Sequence, residues 1–302
     1  MASHPVIFDR ELLRQRRGRF AGRISQHDFL LQRVAEDLAW RLSAVNRKFP
    51  VVVNLGAHHG LVSRAVRGLP GVEIVIDADP SPAMLAQCAG PCIVADEEML
   101  PFKPRSLDLV VSGLALHWVN DLPGTLVQIE RALKPDGLFL AAMLGGETLT
   151  ELRQSLVLAE TERHGGASPR VAPFADVRDL GRLLQRATFA LPVADSDVVV
   201  AGYPGGLELM RDIQAMGASN VLVERSRRPL ARSTLFRAAE IYAERFARPD
   251  GRVKASFEIV TLTGWAQHAG QQQPLRPGSA QVRLADALGV PEVGTGDRAG
   301  SS

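Results

Sequence analysis

Between Pro50 and about Met143, short apolar runs alternate with stretches of helical spacing. VVVNL (51–55) is the first run, and VSRAVRGL (62–69) then reads as a helix that stops near Pro70-Gly71. VEIVIDAD (72–79) predicts a second strand, PSPAMLAQC (80–88) a helix with proline in its first turn, PCIVAD (91–96) a third strand and LDLVVSG (107–113) a fourth. Leu126, Ile129, Ala132 and Leu133 lay an apolar stripe along a helix over 121–137, ended by Pro135 and Gly137, and LFLAAML (138–144) is a fifth strand. Strands that are apolar on both faces and separated by helices predict an α/β fold, with a parallel sheet covered on both sides.

The second half is mostly helical. Thr148 and Glu151 fit a capping box ahead of a helix reaching about Arg163, and 175–188 is another amphipathic helix. A strand is expected at 196–202, helices at 204–217 and 233–247 around the basic loop 224–232, and a late edge strand at 255–265. Three segments follow: a basic helical region, 1–49; a central domain, 50–270, with a helical insertion at about 203–248; and a tail, 271–302, rich in Gln, Pro, Gly and Ser, with disorder expected from about Pro291. No internal repeat is visible.

Chemistry changes this picture at few points. The net charge of +2 does not argue for nucleic acid. Six arginines (Arg10, Arg14, Arg16, Arg17, Arg19 and Arg23) crowd the N-terminal region, readable as a solvated helix face or as a docking surface for an acidic partner or anionic lipid. Cys88 and Cys92 are spaced one residue wider than a CxxC pair and read as ordinary thiols of a reducing cytoplasm. The chain holds no run of eighteen apolar residues, and MASHPVIFDR lacks the apolar centre of a signal peptide; the expected location is cytoplasmic.

Ligands of an open α/β sheet bind at the carboxyl ends of its strands. Here strand one ends in Asn54-Leu55-Gly56-Ala57-His58-His59-Gly60, strand two in Asp79, strand three in Asp96, and strand four in Ser112, with His117 and Trp118 close behind. A glycine turn brings backbone N–H groups to a carboxylate or phosphate. Asp79 is placed to accept from a ribose diol and Asp96 from an exocyclic amine. Each feature has a plainer reading: a common turn, a helix cap, an acidic surface patch, an aromatic packed for its own sake. Their order along successive strand ends carries more weight than any one of them.

VVVNLGAHHG, VIDADPSPAML, VADEEMLPF, LDLVVSGLALHWVNDLP and RALKPDGLFLAA resemble the successive motifs of class I S-adenosylmethionine-dependent methyltransferases over roughly residues 50–143. ALHWVNDLP narrows the resemblance to the branch containing the biotin-pathway malonyl-carrier-protein methyltransferase and a mitochondrial complex I assembly factor. IFDRELLRQRRGRFA, LGGETLTELRQSLVLAE, GGASPRVAPFADVRDLGRLLQRA, YPGGLELMRDIQAMGASN, SFEIVTLTGWAQH and PLRPGSA are similar to the assembly factor five group, an arginine hydroxylase. The resemblance implies a Rossmann-like seven-stranded class I methyltransferase sheet with a helical lid, S-adenosyl-L-methionine as cofactor, and a protein arginine as substrate. The substrate would belong to the iron–sulfur arm of respiratory NADH:quinone oxidoreductase. By motif, Gly56 and Gly60 would shape the methionine end, Asp79 would hold the ribose and Asp96 backed by Glu97 the adenine, with Asn54, His58 and Ser112 also among the cofactor-binding positions. His117 and Trp118 would line the reaction side, and Tyr203, Met210 and Met216 the lid.

Two positions depart from the family pattern. Asn54 stands where an acid is usual, keeping an acceptor oxygen without its charge, and His58 replaces the middle glycine. Histidine is among the few side chains that tolerate positive φ, so the turn still forms. A metal site at His58-His59 is not expected, because adjacent histidines on a turn point apart and no matching ligand spacing accompanies them. An iron site would further need a carboxylate such as Asp96 or Asp121. Methyl transfer to a carboxylate or carrier-bound acid, and a chaperone that lost the chemistry, stand as competing functions.

Overall fold

The computed structural model describes residues 6–272, 278, 279 and 281–291. Most of PLRPGSA and everything past Pro291 lie outside the described residues. Residues from His268 onward form a separate small unit, whose described part contains one helix, Leu284–Leu288.

Strands β1 (Val51–Leu55), β2 (Ile74–Asp79), β3 (Cys92–Val94), β4 (Leu107–Gly113), β5 (Leu133–Leu144), β6 (Ala190–Tyr203) and β7 (Val253–Trp265) form one sheet of order β3-β2-β1-β4-β5-β7-β6. The first five are parallel, and β7 runs antiparallel to both β5 and β6. Alternate side chains explain the unbroken apolar runs. Val52, Leu109, Val111, Leu138 and Leu140 pack on one face with α2 (Phe29–Ser43), α3 (Leu61–Arg67), α6 (Thr150–His164) and α9 (Arg232–Phe246). Val53, Val110, Phe139 and Ala141 point the other way, onto α5 (Leu122–Ala132) and α7 (Val177–Arg186). Both faces are dry, so neither face of a central strand can alternate with polar residues.

Three expectations are corrected. The strand around 255–265 is interior, not an edge: β7 lies between β5 and β6, and β6 carries the free edge with Val193, Val198 and Val200 exposed. The capping box does not form. Thr148 Oγ1 donates to the Glu258 carbonyl (3.2 Å) and accepts the Glu258 N–H (3.1 Å), while the Glu151 carboxylate accepts from Ser256 Oγ (2.6 Å) and its N–H (3.2 Å). A neighbouring strand's unpaired backbone outcompetes the helix end for those side chains. The helix expected to reach Gly137 ends at Ala132, and the chain passes directly into β5. No described helix is long and apolar enough to cross a membrane.

The order reverses at β1, which has β2 on one side and β4 on the other. That reversal opens a crevice above the carboxyl ends of β1, β2 and β4, where ligands of such sheets lodge. The N-terminal segment closes over it: α1 (Arg10–Phe20), a 3₁₀ stretch (Ala21–Gln26), then α2.

Candidate functional site

The loop after β1 is built on left-handed backbone. Gly56 (φ 66°), His58 (φ 51°) and Gly60 (φ 79°) all take positive φ, so histidine does fit the middle position of the turn. A Cβ at Gly56 would overlap that of Ala115, and one at Gly60 would press on Cys88 Sγ at 3.1 Å. The two histidines point apart. The His58 imidazole donates from Nε2 to the Gly113 carbonyl (3.1 Å), with Leu114 O at 3.3 Å, bridging the ends of β1 and β4. His59 Nε2 donates to Asp28 Oδ2 (2.8 Å), and its buried Nδ1 has no partner.

Asp79 is fully buried and organises the turn, accepting the N–H groups of His58 (2.9 Å) and Ser81 (2.8 Å) on its two oxygens. Burial raises its pKa, against the pull of Arg17. Asn54, also buried, donates from Nδ2 to Ser63 Oγ (2.9 Å) and Asp77 Oδ1 (3.0 Å). Its role is to brace β1 against β2. Ser112 is buried with its hydroxyl unpaired.

A cleft of about 270 Å³ lies over β2 and β3 and is lined by Asp79, Ser81, Asp96, Glu97 and Trp118 on the sheet side and by Arg10, Leu13 and Arg17 on α1. Arg10 forms ion pairs with Asp96 and Glu97, and Glu98 Oε2 stands 3.3 Å from its Nη1. Burial pushes the Glu97 carboxyl up to about 7, despite Arg10. Between about pH 4.5 and 7 the folded chain keeps a proton that the unfolded chain releases, so raising pH through that window removes stability, by at most about 3 kcal/mol. Glu97→Gln should flatten this slope in urea melts across the same range; an unchanged slope would place the effect elsewhere.

A second cavity, of about 150 Å³, adjoins the turn and is mainly apolar. His58, His59, His117, Trp118, Phe174 and Met216 are on its wall. His117 accepts the Leu144 N–H at Nδ1 (3.3 Å) and packs edge-on to Phe174. Burial, then the charge of Arg17, hold His58 and His117 well below the usual imidazole range, so both are neutral near pH 7. Tyr203 and Met210 do not line this cavity: Tyr203 donates to Asp212 Oδ2 (2.6 Å), and Met210 packs on the core.

Sequence reasoning missed a residue that, together with Trp118, joins the two spaces. Arg17 borders both, is only 5% exposed, and has no hydrogen-bond or ion-pair partner among the described residues. Burial lowers its pKa, while Asp79 and Glu97 oppose that shift. The signal was in the spacing: Arg10, Leu13 and Arg17 follow i, i+3, i+7, and Leu13 is a core residue, so the flanking arginines share its inward face. Elsewhere, Asp77 comes within 4.8 Å of the free thiols Cys88 and Cys92. Burial and Asp77 push the Cys88 thiol up to about 12, leaving it protonated at neutral pH.

Residues 53–141 match the family described as "Methyltransferase domain". The mitochondrial arginine-hydroxylase NDUFAF5 of Danio rerio is 42% identical over 93% of this chain and 89% of its own length; the human protein is also 42% identical, over 93% and 83%. The malonyl-[acyl-carrier protein] O-methyltransferase of Halorhodospira halophila is 34% identical over 93% of this chain and 95% of its own. Among solved structures, the YcgJ protein of Bacillus subtilis superposes with a TM-score of 0.54 at 14% identity, covering 77% of this chain and 98% of its own, a likeness of fold alone.

Proposed function

Since this chain belongs to the S-adenosylmethionine-dependent methyltransferase superfamily and is an enzyme of the group that includes the arginine-hydroxylase and malonyl-carrier methyltransferase relatives, we propose that it binds S-adenosylmethionine in the cleft under α1 and modifies an arginine of a protein substrate. The observation that carries the cofactor reading is Arg17: a buried guanidinium that feels Asp79 and Glu97 through space but hydrogen-bonds to neither, so that its planar donors are open to a ligand carboxylate. The residues fit the group. Asp79 would accept the ribose hydroxyls, Asp96 and Glu97 the adenine amine once Arg10 swings aside, and Arg17 would take the methionine carboxylate. When bound, the cofactor supplies an electrophilic methyl group, or a sulfonium that shapes the pocket for another reaction. His117 and Trp118 would form the wall against the reacting group, both held by Phe174.

Hydroxylation of arginine, in assembly of respiratory NADH:quinone oxidoreductase, is supported by 42% identity spanning both halves of the chain. The substrate would be an iron–sulfur arm subunit. Free Cys88 and Cys92 suit a reducing compartment, the cytoplasm or its mitochondrial counterpart. Purified protein incubated with cofactor, dioxygen, a two-electron reductant that carries the second oxygen atom away as water, and the candidate subunit should add one oxygen atom to an arginine, read by mass spectrometry. A methyl gain with release of S-adenosylhomocysteine would instead favour the transfer reaction that the 34% identical malonyl-carrier relative supports.

A further inference from the structure

The second cavity holds one feature the cofactor does not use. Its wall is apolar over most of its extent, with Leu30, Leu31, Leu114, Leu152 and Phe257 among the contributors. Asp28 is the one carboxylate among its described lining residues. We propose that Asp28 is the recognition point for the guanidinium of a substrate arginine, a reading that rests on the arginine-modifying function above.

Three observations carry it. Asp28 occupies the N-cap of α2 without capping it: its side chain accepts no helix N–H, and Oδ1 has no partner among the described residues. Aspartate at that position ordinarily turns back onto the helix, so this carboxylate is aimed elsewhere. Its other oxygen accepts His59 Nε2 at 2.8 Å. Burial holds that imidazole below its usual range, and the hydrogen bond leaves the carboxylate charge uncancelled. Finally, the cations nearby are committed. Arg170 pairs with Glu160 (2.6 Å), and Arg64 donates to the His59 carbonyl (2.9 Å). Arg17 has no ion-pair partner among the described residues and is the group that would take the cofactor's carboxylate, and Asp28 is not among the charges that act on it.

An arginine side chain matches this wall in both its parts. Its methylene stem suits the leucines, and its planar donors suit a carboxylate with a free oxygen. The geometry also orders events. An occupied Arg17 no longer repels an incoming guanidinium, so the substrate enters after the cofactor's carboxylate.

The test is calorimetry on the full-length protein saturated with S-adenosylhomocysteine. The probes are an acetylated peptide with a single arginine and its citrulline counterpart, which keeps shape without charge. Wild type should prefer arginine by about ten- to a hundredfold, the range of a charged hydrogen-bonded pair. Asp28→Asn should erase that preference with S-adenosylhomocysteine affinity unchanged, which also reports an intact fold, and Asp28→Glu should restore part of it. If Asp28→Asn keeps the arginine preference, the assignment of Asp28 is wrong while the arginine reading stands. If Asp28→Asn melts at the wild-type temperature yet loses S-adenosylhomocysteine affinity, Asp28 serves the cofactor's ammonium and the proposal is overturned. If wild type does not separate the two peptides, the proposal and the arginine reading fall together.

Discussion

Asp79→Ala is expected to weaken S-adenosylmethionine binding by two orders of magnitude or about that, and to destabilise the free protein as well. Two separate losses add. The carboxylate would hold the ribose diol through charge-assisted hydrogen bonds, each worth about 1.5–3 kcal/mol. It also ties the N–H groups of His58 and Ser81, so its removal leaves two buried donors unpaired and lets the turn relax. Each unpaired donor costs about 1–3 kcal/mol, partly offset because a buried charge has been removed. Asp79→Asn keeps one acceptor and the side chain's shape, and should lie between. Calorimetry read beside thermal melts separates the contributions; wild-type affinity in a folded Asp79→Ala protein would remove Asp79 from the cofactor site.

Arg17→Met should act in opposite directions on the two measurements. The free protein holds a desolvated guanidinium with no direct partner, so removing it recovers a desolvation cost of several kcal/mol and gives up only the through-space attraction of Asp79 and Glu97, two carboxyls that burial already shifts toward their protonated forms. The melting temperature of the free variant should therefore hold or rise. Cofactor affinity should fall by about a hundredfold, because the carboxylate would meet a thioether. A structural role for Arg17 predicts the reverse pairing, a less stable protein that still binds. The divergence between stability and affinity is the informative quantity, and it needs no assay of the final reaction.

How much of this was legible in the chain varies with the physics of each element. β1 and β4 run over the same residues as the apolar stretches that predict them, because both are dry on both faces and bounded by turns. Topology then brings Asp79 and Glu97 to one cleft with Asp96. Alternation along 255–265 predicted a strand but not its neighbours; hydrogen-bonding order is a property of the assembled sheet. Thr148 and Glu151 have the right spacing for a cap, and only the arrival of β7, about a hundred residues later, shows why they are used otherwise. The inward arginines were hidden for a different reason. A dense basic run reads as solvated, and charge density masks which side of a helix faces in. His58 shows the converse: one departure from glycine was visible, yet its bridge to the Gly113 carbonyl depends on a backbone angle that composition does not encode.

The N-terminal segment is fastened at several points. Asn120 Oδ1 accepts the N–H groups of Ile7 and Phe8, each at 2.8 Å, Arg225 pairs with Asp9 (3.0 Å), Arg10 grips Asp96 and Glu97, and His27 meets Asp212. Several of these fastenings are ionic and partly open to water, and dissolved salt weakens such pairs. Arg10 holds the carboxylates that a nucleoside would need. If the cleft takes the cofactor as proposed, the segment would be a rate-setting door as well as a wall. Residence time and refilling of the cleft would then be linked to ionic strength, with salt hastening exchange through a looser Arg10 grip, opposite to the usual slowing of a charge-steered encounter.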